Sequence, residues 1–486
     1  MESNSVWLNS SPIQFGTDGW RGVLGVDITL EKLLKVSAAA ARELSHAAPA
    51  HLKSREIILG FDRRFMAPEF AAAIVAAIKG CQLDPILSSA PVTTPACSWA
   101  VVHRQALGAL VITASHNPPQ WIGLKIKGPN GASVNTDFTE AVEKRLSAGG
   151  ISVPQHITAP KLDIRNEHLN YLRKAFDINQ IADGLKRMNI KVLVDSMYGS
   201  ASGCIKELFS DYSDSFIKEI HTKRDPLFGG HPPEPIEPYV DVLKQEIQDL
   251  SKDSIKSIGL IFDGDGDRIA SIDENGRFCS TQDLIPILIQ HLSIYTNLPG
   301  SVVKTVSGSD VMSLVAEDCG RNVIELPVGF KYIAAEMLSK EVLIGGEESG
   351  GIGFGHHLPE RDALFSALLL LESIASSGRM LGEKVEDIKN IYGNSYYERI
   401  DLELKHMHSK DKLKFLLTNS PPKSIAGISV KSITSLDGFK FRLGKFHWLM
   451  LRFSGTEPLL RIYCEAPNKD DLKSTLEWAL DLAKEI

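Results

Sequence analysis

Three short apolar runs constrain this chain more than any other feature: Ile57-Ile58-Leu59-Gly60-Phe61-Asp62, Val192-Leu193-Val194-Asp195 and Ile258-Gly259-Leu260-Ile261-Phe262-Asp263. Each stops on an aspartate and precedes a stretch with helical spacing. A strand buried on both faces reads as an uninterrupted apolar run because neither face meets water. Amphipathic helices are expected at about 67–80, 166–176, 201–209, 283–295 and 362–376. Strand and helix therefore alternate, and the chain reads as several α/β layers. Three strands ending on polar turns point to one related unit used three times. At 486 residues the chain exceeds what one core organises, which gives three or four domains. After about residue 396 the pattern changes to strand-like Tyr397-Glu398-Arg399-Ile400-Asp401-Leu402 and ends in a helix over 470–485, a smaller α+β domain. Boundaries are expected in the polar, proline-containing stretch near 149–163, at the turn Asp273-Glu274-Asn275-Gly276 and near 391–396.

The formal net charge is −7, so the surface as a whole attracts neither nucleic acid nor acidic membranes, and an anionic ligand must be held by local basic clusters. Six cysteines (Cys81, Cys97, Cys204, Cys279, Cys319, Cys464) lie too far apart for a disulfide framework or a zinc site. They read as reduced thiols. Residues 1–12 lack the basic start and apolar core of a signal peptide, and no apolar run approaches a membrane span. The cytoplasm is the expected compartment.

Four clusters carry chemistry. Leu110-Val111-Ile112-Thr113 reads as a buried strand that runs into Ala114-Ser115-His116-Asn117-Pro118, which exposes the Ser115 hydroxyl at the carboxyl edge of a sheet, where α/β proteins bind ligands. Taken alone, it is equally a proline-terminated turn. Asp263-Gly264-Asp265-Gly266-Asp267-Arg268 alternates carboxylates with glycines and can turn hard oxygen ligands toward one magnesium or calcium ion. An EF-hand loop needs a glutamate at its twelfth position; Glu274 falls there but is followed by a polar turn, and the flanks read as strands rather than helices, which argues against calcium of that kind. Gly345-Gly346-Glu347-Glu348-Ser349-Gly350-Gly351 offers carboxylates and a hydroxyl to sugar hydroxyls, although a flexible acidic turn has the same composition. Arg452-Phe453-Ser454-Gly455-Thr456-Glu457-Pro458, followed by Arg461, combines hydroxyls, amides around a glycine and guanidinium groups, the makings of a phosphate nest or else of a surface turn.

In this order, and with Phe15-Gly16-Thr17-Asp18-Gly19-Trp20-Arg21-Gly22 before them, these runs resemble the α-D-phosphohexomutase superfamily of phosphoglucomutases and phosphomannomutases, over nearly the whole chain. The resemblance implies four domains around a central cleft, three related α/β domains and a smaller C-terminal α+β domain. The expected segments are 1–155 with the phosphoserine loop, 156–277 with the metal loop, 278–392 with the sugar loop and 393–486 with the phosphate loop. It also implies roles. Ser115, with His116 beside it, would carry the phosphoryl group, while Asp263, Asp265 and Asp267 would bind Mg²⁺ together with an oxygen on phosphorylated Ser115. Lys125 matches a general acid/base, and Arg21 and Arg268 match arginines at the reacting centre. Glu347 and Ser349 would contact sugar hydroxyls, and Lys304, Gly329 and Lys331 match cleft positions. Arg452, Ser454, Gly455, Thr456 and Arg461 would hold the phosphate that is not reacting.

The implied partners are small sugar phosphates, met by a monomer or homodimer, with hexose 1,6-bisphosphate as activator and intermediate. Glu347-Glu348-Ser349-Gly350 resembles the phosphoglucomutase sugar loop. In mannose- and glucosamine-type enzymes the position of Gly351 is commonly histidine. Conversely, Ser454-Gly455-Thr456-Glu457-Pro458 resembles the glucosamine-type phosphate loop. The expected reaction interconverts glucose 1-phosphate and glucose 6-phosphate, with mannose phosphates, or release of the bisphosphate as product, as variants. A phosphatase and a non-catalytic sugar-phosphate sensor are the other readings, and a sensor would be expected to lose the serine or the aspartates.

Overall fold

A computed structural model describes residues 13–16, 18–146, 158–212, 216–404, 407–453 and 459–484. Residues 1–12, Thr17, most of the 149–163 stretch, and Ser454, Gly455, Thr456, Glu457 and Pro458 lie outside the described residues.

The repeated unit is explicit in the topology. In the first sheet Glu56–Phe61 lies between the parallel strands Asp84–Ser88 and Gly108–Ile112, and Trp121–Lys127 runs antiparallel beside the latter. The second sheet repeats this with Lys191–Asp195 between Ile217–Ile220 and Ser257–Phe262, and Ile269–Ile272 antiparallel. In the third, Ser301–Thr305 lies between Val323–Leu326 and Val342–Gly346, and Ile352–Phe354 is antiparallel. Each time the spatial order is fourth, third, first, second strand. The parallel pairs need helical crossovers, supplied in the first unit by Ala67–Gly80 and Thr94–Arg104 and in the third by Asp310–Asp318 and Phe330–Ser339. The three apolar runs in the sequence do not mark one strand per unit. The runs at 192–195 and 258–263 are the first and third strands of the second unit, and the third unit announces itself less clearly because its central strand carries Lys304.

Expected helices appear at Ala67–Gly80, Ile164–Ala175, Thr281–Ile294, Ala363–Ser377 and Lys469–Lys484. The helix expected over 201–209 shortens to Cys204–Leu208, preceded by Gly203 with φ +78°. The turn Asp273-Glu274-Asn275-Gly276 is a hairpin tip inside the second sheet, joining Ile269–Ile272 to Phe278–Cys279. Asp273 Oδ1 accepts the amides of Asn275 and Arg277, each at 2.9 Å.

The C-terminal sheet is wholly antiparallel, in the order Tyr396–Glu403, Leu459–Ala466, His447–Phe453, Phe439–Gly444, Ser432–Thr434, with helix Lys469–Lys484 against it. The second and third units share one continuous core, whereas the first unit and the C-terminal domain each have their own. Helix Ala363–Ser377 sits at the centre of the shared core and packs on Ile178–Arg187 at Gly184, where an added Cβ would lie 2.6 Å from that of Ala375. Among the described residues no single helix is long and apolar enough to cross a membrane. All six cysteines are free.

Candidate active site

In each α/β unit the loop between the third strand and its antiparallel fourth carries one of the sequence clusters. These loops leave the carboxyl ends of parallel strands, where a sheet opens a crevice for ligands, and all three face one cleft. Ser115 sits in the first loop with φ +52° and is 1% exposed. Its Oγ donates to Asp263 Oδ2 at 2.8 Å and lies 3.2 Å from His116 Nδ1. Burial, then the charges of Arg268, Arg21 and Lys125, push the His116 pKa well below the usual histidine value, so the imidazole is neutral.

Asp263, Asp265 and Asp267 are buried with carboxylate oxygens within 4.8 Å of one another. Burial and the two neighbouring carboxylates push the Asp263 pKa well above the ordinary range. Asp265 is held well below it: burial opposes its charge, but Lys125 and the Thr94 hydroxyl outweigh burial. Oδ1 of Asp265 and Oδ1 of Asp267 are buried without a hydrogen-bond partner. Unpartnered buried carboxylate oxygens carry a large penalty, and two of them beside the Asp263 carboxylate fit a divalent cation with hard oxygen ligands.

Lys125 enters this cluster from the antiparallel strand of the first unit. Its Nζ lies 2.6 Å from Asp267 and 2.9 Å from both Asp265 and Asp18. Burial works against the ammonium, but these three carboxylates prevail and raise its pKa. In this state Lys125 is a proton donor. Arg21 donates to Asn117 Oδ1 at 2.9 Å and pairs with Asp18 at 3.1 Å. Arg268 donates to the Ser349 carbonyl at 3.2 Å, tying the metal loop to the sugar loop.

A cavity of about 570 Å³ opens above these groups, lined by Arg21, His116, Arg268, Gly329, Lys331, Glu347, Ser349, Arg452 and Arg461 among others. Burial pushes the Glu347 pKa up to about 7, against the pull of Arg361. Lys331 reaches Thr136 Oγ1 at 3.0 Å across the mouth. Arg452 pairs with Asp437 at 2.8 Å, and Arg461 lies 3.5 Å from Asp401. Lys304 does not join them. It is 2% exposed, and its Nζ donates to the carbonyls of Gly308 at 3.3 Å and Ser309 at 3.1 Å inside the third unit. An outward-facing lysine and one that caps its own loop look alike in sequence.

Sequence reasoning missed three residues that the fold brings into the wall. Asp18 stands in a quoted motif without a role, yet it pairs with Lys125, Arg21 and Arg361. Arg361 lies just after the antiparallel strand of the third unit and reaches Asp267 at 2.8 Å. Arg399 lines the cavity beside Arg452 and Arg461, gripped by Asp401 at 2.7 and 2.6 Å. A charged residue inside the strand-like 397–402 run was its only signal. The cleft wall is thus rich in guanidinium groups although the chain is acidic, which meets the need for local basic clusters.

Sequence profiles for phosphoglucomutase/phosphomannomutase match the chain in four consecutive pieces: α/β/α domain I over residues 12–150, domain II over 166–276, domain III over 281–392 and the C-terminal domain over 410–481. The chain belongs to the phosphoglucomutase/phosphomannomutase family. It is 27% identical to a Thermococcus kodakarensis protein called phosphoglucomutase/phosphomannomutase, across 97% of this chain and 98% of that one. It is 28% identical to a phosphoglucosamine mutase of Levilactobacillus brevis, again across 97% and 98%. A solved structure from Thermus thermophilus, assigned as a phosphomannomutase, superposes with a TM-score of 0.83 at 30% identity, covering 98% of this chain and all of that one. A Paramecium phosphoglucomutase in an open form shares the fold, with a TM-score of 0.80 at 20% identity over 98% and 96% of the two chains. This family membership supports phosphohexomutase-type chemistry, and the acidic cluster suits a divalent metal.

Proposed function

We propose that this phosphohexomutase interconverts glucose 1-phosphate and glucose 6-phosphate, with Ser115 as a recyclable phosphoryl carrier. The observation that carries the reading is the 2.8 Å contact from Ser115 Oγ to Asp263, at the edge of a cluster with two unpartnered carboxylate oxygens.

A carrier is needed because O1 and O6 of a hexose are too far apart for an in-line shift within one bound pose. Phosphorylated Ser115 donates to the free hydroxyl: the bond from phosphorus to serine oxygen breaks, the bond to the sugar oxygen forms, and the hydroxyl proton leaves. The hexose 1,6-bisphosphate then turns over, and its other phosphate returns to Ser115. Asp263, Asp265 and Asp267 would hold Mg²⁺, which stabilises charge on the transferred phosphoryl group when bound. Arg21, Arg268 and Lys125 surround the same centre with positive charge, and Lys125 gives its ammonium proton to the departing serine oxygen and takes up the proton of the attacking hydroxyl, so the step leaves it charged as before. Glu347 and Ser349 orient the sugar hydroxyls. Arg399, Arg452 and Arg461 hold the distal phosphate, whichever carbon bears it.

Glucose is favoured at Gly351. An added Cβ there would lie 2.3 Å from Arg361 Cδ, so Arg361 occupies the space that the histidine of mannose- and glucosamine-type loops needs. The names of the relatives keep mannose and glucosamine phosphates as comparison substrates. Purified protein with glucose 1-phosphate, Mg²⁺ and a trace of glucose 1,6-bisphosphate should yield glucose 6-phosphate, faster than the mannose and glucosamine counterparts react. Free inorganic phosphate as product would replace this reading with a phosphatase. Accumulation of bisphosphate when a second phosphoryl donor is supplied to recharge Ser115 would make release of the intermediate the net reaction.

A further inference from the structure

Arg64 belongs to none of the sequence clusters and does not line the cleft, yet its guanidinium is committed to the nucleophile loop. The side chain is fully buried. Nη2 donates to the carbonyls of Ser115 at 2.6 Å and Asn117 at 2.7 Å, and Nη1 donates to those of Pro118 at 2.9 Å and Trp121 at 3.0 Å. Nε faces Asp62 Oδ2 at 3.2 Å. The same carboxylate accepts the Thr113 hydroxyl at 2.6 Å, and Thr113 Oγ1 accepts the Ser115 amide at 2.9 Å. Both peptide groups of Ser115 are therefore anchored to the Asp62–Arg64 pair.

We infer that Arg64 is the positioning residue of the carrier, holding Ser115 in its left-handed conformation so that Oγ points at Asp263. The inference rests on Ser115 being the carrier. A non-glycine residue meets a steric cost in that conformation, and charge-assisted bonds to four carbonyls of the loop offset it. The metal loop also approaches closely, since a Cβ added to Gly264 would lie 2.6 Å from the Ser115 carbonyl oxygen. The second unit also grips the Arg64 segment. Arg224 donates to the carbonyls of Arg63 at 3.2 Å and Arg64 at 3.0 Å, and the Phe228 ring lies 5.0 Å from the Arg64 guanidinium. The serine loop is thus registered against the unit that carries the aspartates. A lysine has three donors on one atom and cannot reproduce a planar fork that reaches four carbonyls.

The test uses full-length Arg64→Lys and Arg64→Ala, mixed with glucose 1,6-bisphosphate and Mg²⁺, with Ser115 phosphorylation followed by intact mass and steady-state turnover measured alongside. The labelling rate and kcat should fall about 100-fold, as misplacement of a reacting group by an ångström does, with KM within about 3-fold of wild type. Millimolar guanidinium, but not equal sodium chloride, should restore part of the Arg64→Ala rate. A folded variant that labels at the wild-type rate, or loses KM rather than kcat, overturns the inference. Should Arg64→Ala fail to fold, Arg64→Lys decides on the same rate and KM criteria. An unlabelled wild type overturns the carrier reading, and this inference with it; labelled wild type beside an equally labelled variant overturns this inference alone.

Discussion

Arg361 Nη2 lies 2.7 Å from Asp18 Oδ2 and 2.8 Å from Asp267 Oδ2, so one guanidinium from the third unit bridges a carboxylate of the first and a carboxylate of the second. Its neighbours extend the tie. Glu360 forms a fully buried pair with Lys127 of the first unit, and Asp362 meets His168 at 3.1 Å and His357 at 2.9 Å while capping helix Ala363–Ser377. The short strap from His357 to Asp362 therefore sets how the three α/β units meet around the cleft.

Replacing Arg361 by Met leaves half-buried Asp18 and fully buried Asp267 beside one fewer cation. Breaking a buried pair in this way costs about 3–5 kcal/mol. A lower urea midpoint together with a loss of kcat is expected, and an unchanged midpoint would show that Lys125 alone suffices.

Glu347 gives the site a pH dependence of known sign. Its pKa rises from the usual 4.5 to about 7 through burial, so in that window the folded state binds more protons than the unfolded one. Its contribution to stability falls as pH rises from about 4.5 to about 7 and levels off above. Glu347→Gln should remove that slope, becoming more stable than wild type at pH 8 by roughly 1–3 kcal/mol. Asp62, pushed to about 6 by burial, adds a slope of the same sign to both proteins, so the difference between their urea curves is the quantity to read. Since an ionised carboxylate is the better acceptor for sugar hydroxyls, KM in the wild type should rise as pH drops below about 7.

Lys304 and Arg399 separate fold from function. Lys304→Met should destabilise by about 1–3 kcal/mol, because two buried carbonyls lose their donor, and leave KM unchanged. Arg399→Met should raise KM for sugar phosphate about 10- to 100-fold by deleting a charged hydrogen bond. Exchanged outcomes would put Lys304 in the cleft.

Divalent metal should stabilise the protein through the three crowded aspartates. Mg²⁺ at a hundred times its dissociation constant adds about 2.7 kcal/mol, read as a higher melting temperature that EDTA reverses. Asp265→Asn should abolish the shift, and a variant that keeps it would place the metal elsewhere.

The C-terminal domain has its own core and meets the third unit through a small apolar cluster, Val306 and Val328 against Trp448, Met450 and Tyr463, together with buried polar contacts. Glu465, fully buried, accepts from Ser309 Oγ, from the Asp310 amide at 3.0 Å, from Trp448 and from Ser395 at the 391–396 connection. We expect this connection to be the hinge on which the distal phosphate grip opens and closes. Hydrogen exchange in residues 396–404 and 439–453 should slow on adding sugar phosphate, and Glu465→Gln should speed it without ligand. Equal exchange in all three states would count against the hinge.

The elements and the reacting groups were legible in the sequence because both are local. Uninterrupted apolar runs mark strands buried on two faces, and Ser115, the three aspartates and Glu347 each stand in a loop directly after such a run. Arg64 and Arg361 carry no local mark, and Asp18 and Arg399 only weak ones, a place in the first motif and a charge in a strand-like run; Asp18, Arg64 and Arg361 acquire their roles from partners tens to hundreds of positions away, and Arg399 from the sheet that sets it beside Arg452 and Arg461. Lys304 shows the converse, a residue whose motif pointed to the cleft and whose strand turns it inward.

The sequence alone therefore determined that Ser115, Asp263, Asp265 and Asp267 stand in loops directly after apolar strands, because strand-then-polar-loop is a pattern of neighbours. Only the tertiary structure decided that the Ser115 hydroxyl meets Asp263 at 2.8 Å, that Lys125 is held charged by three carboxylates, and that Arg361 joins three units at one point. Those facts depend on distances between separate sheets, and burial there makes each charge answerable to partners that no stretch of sequence contains.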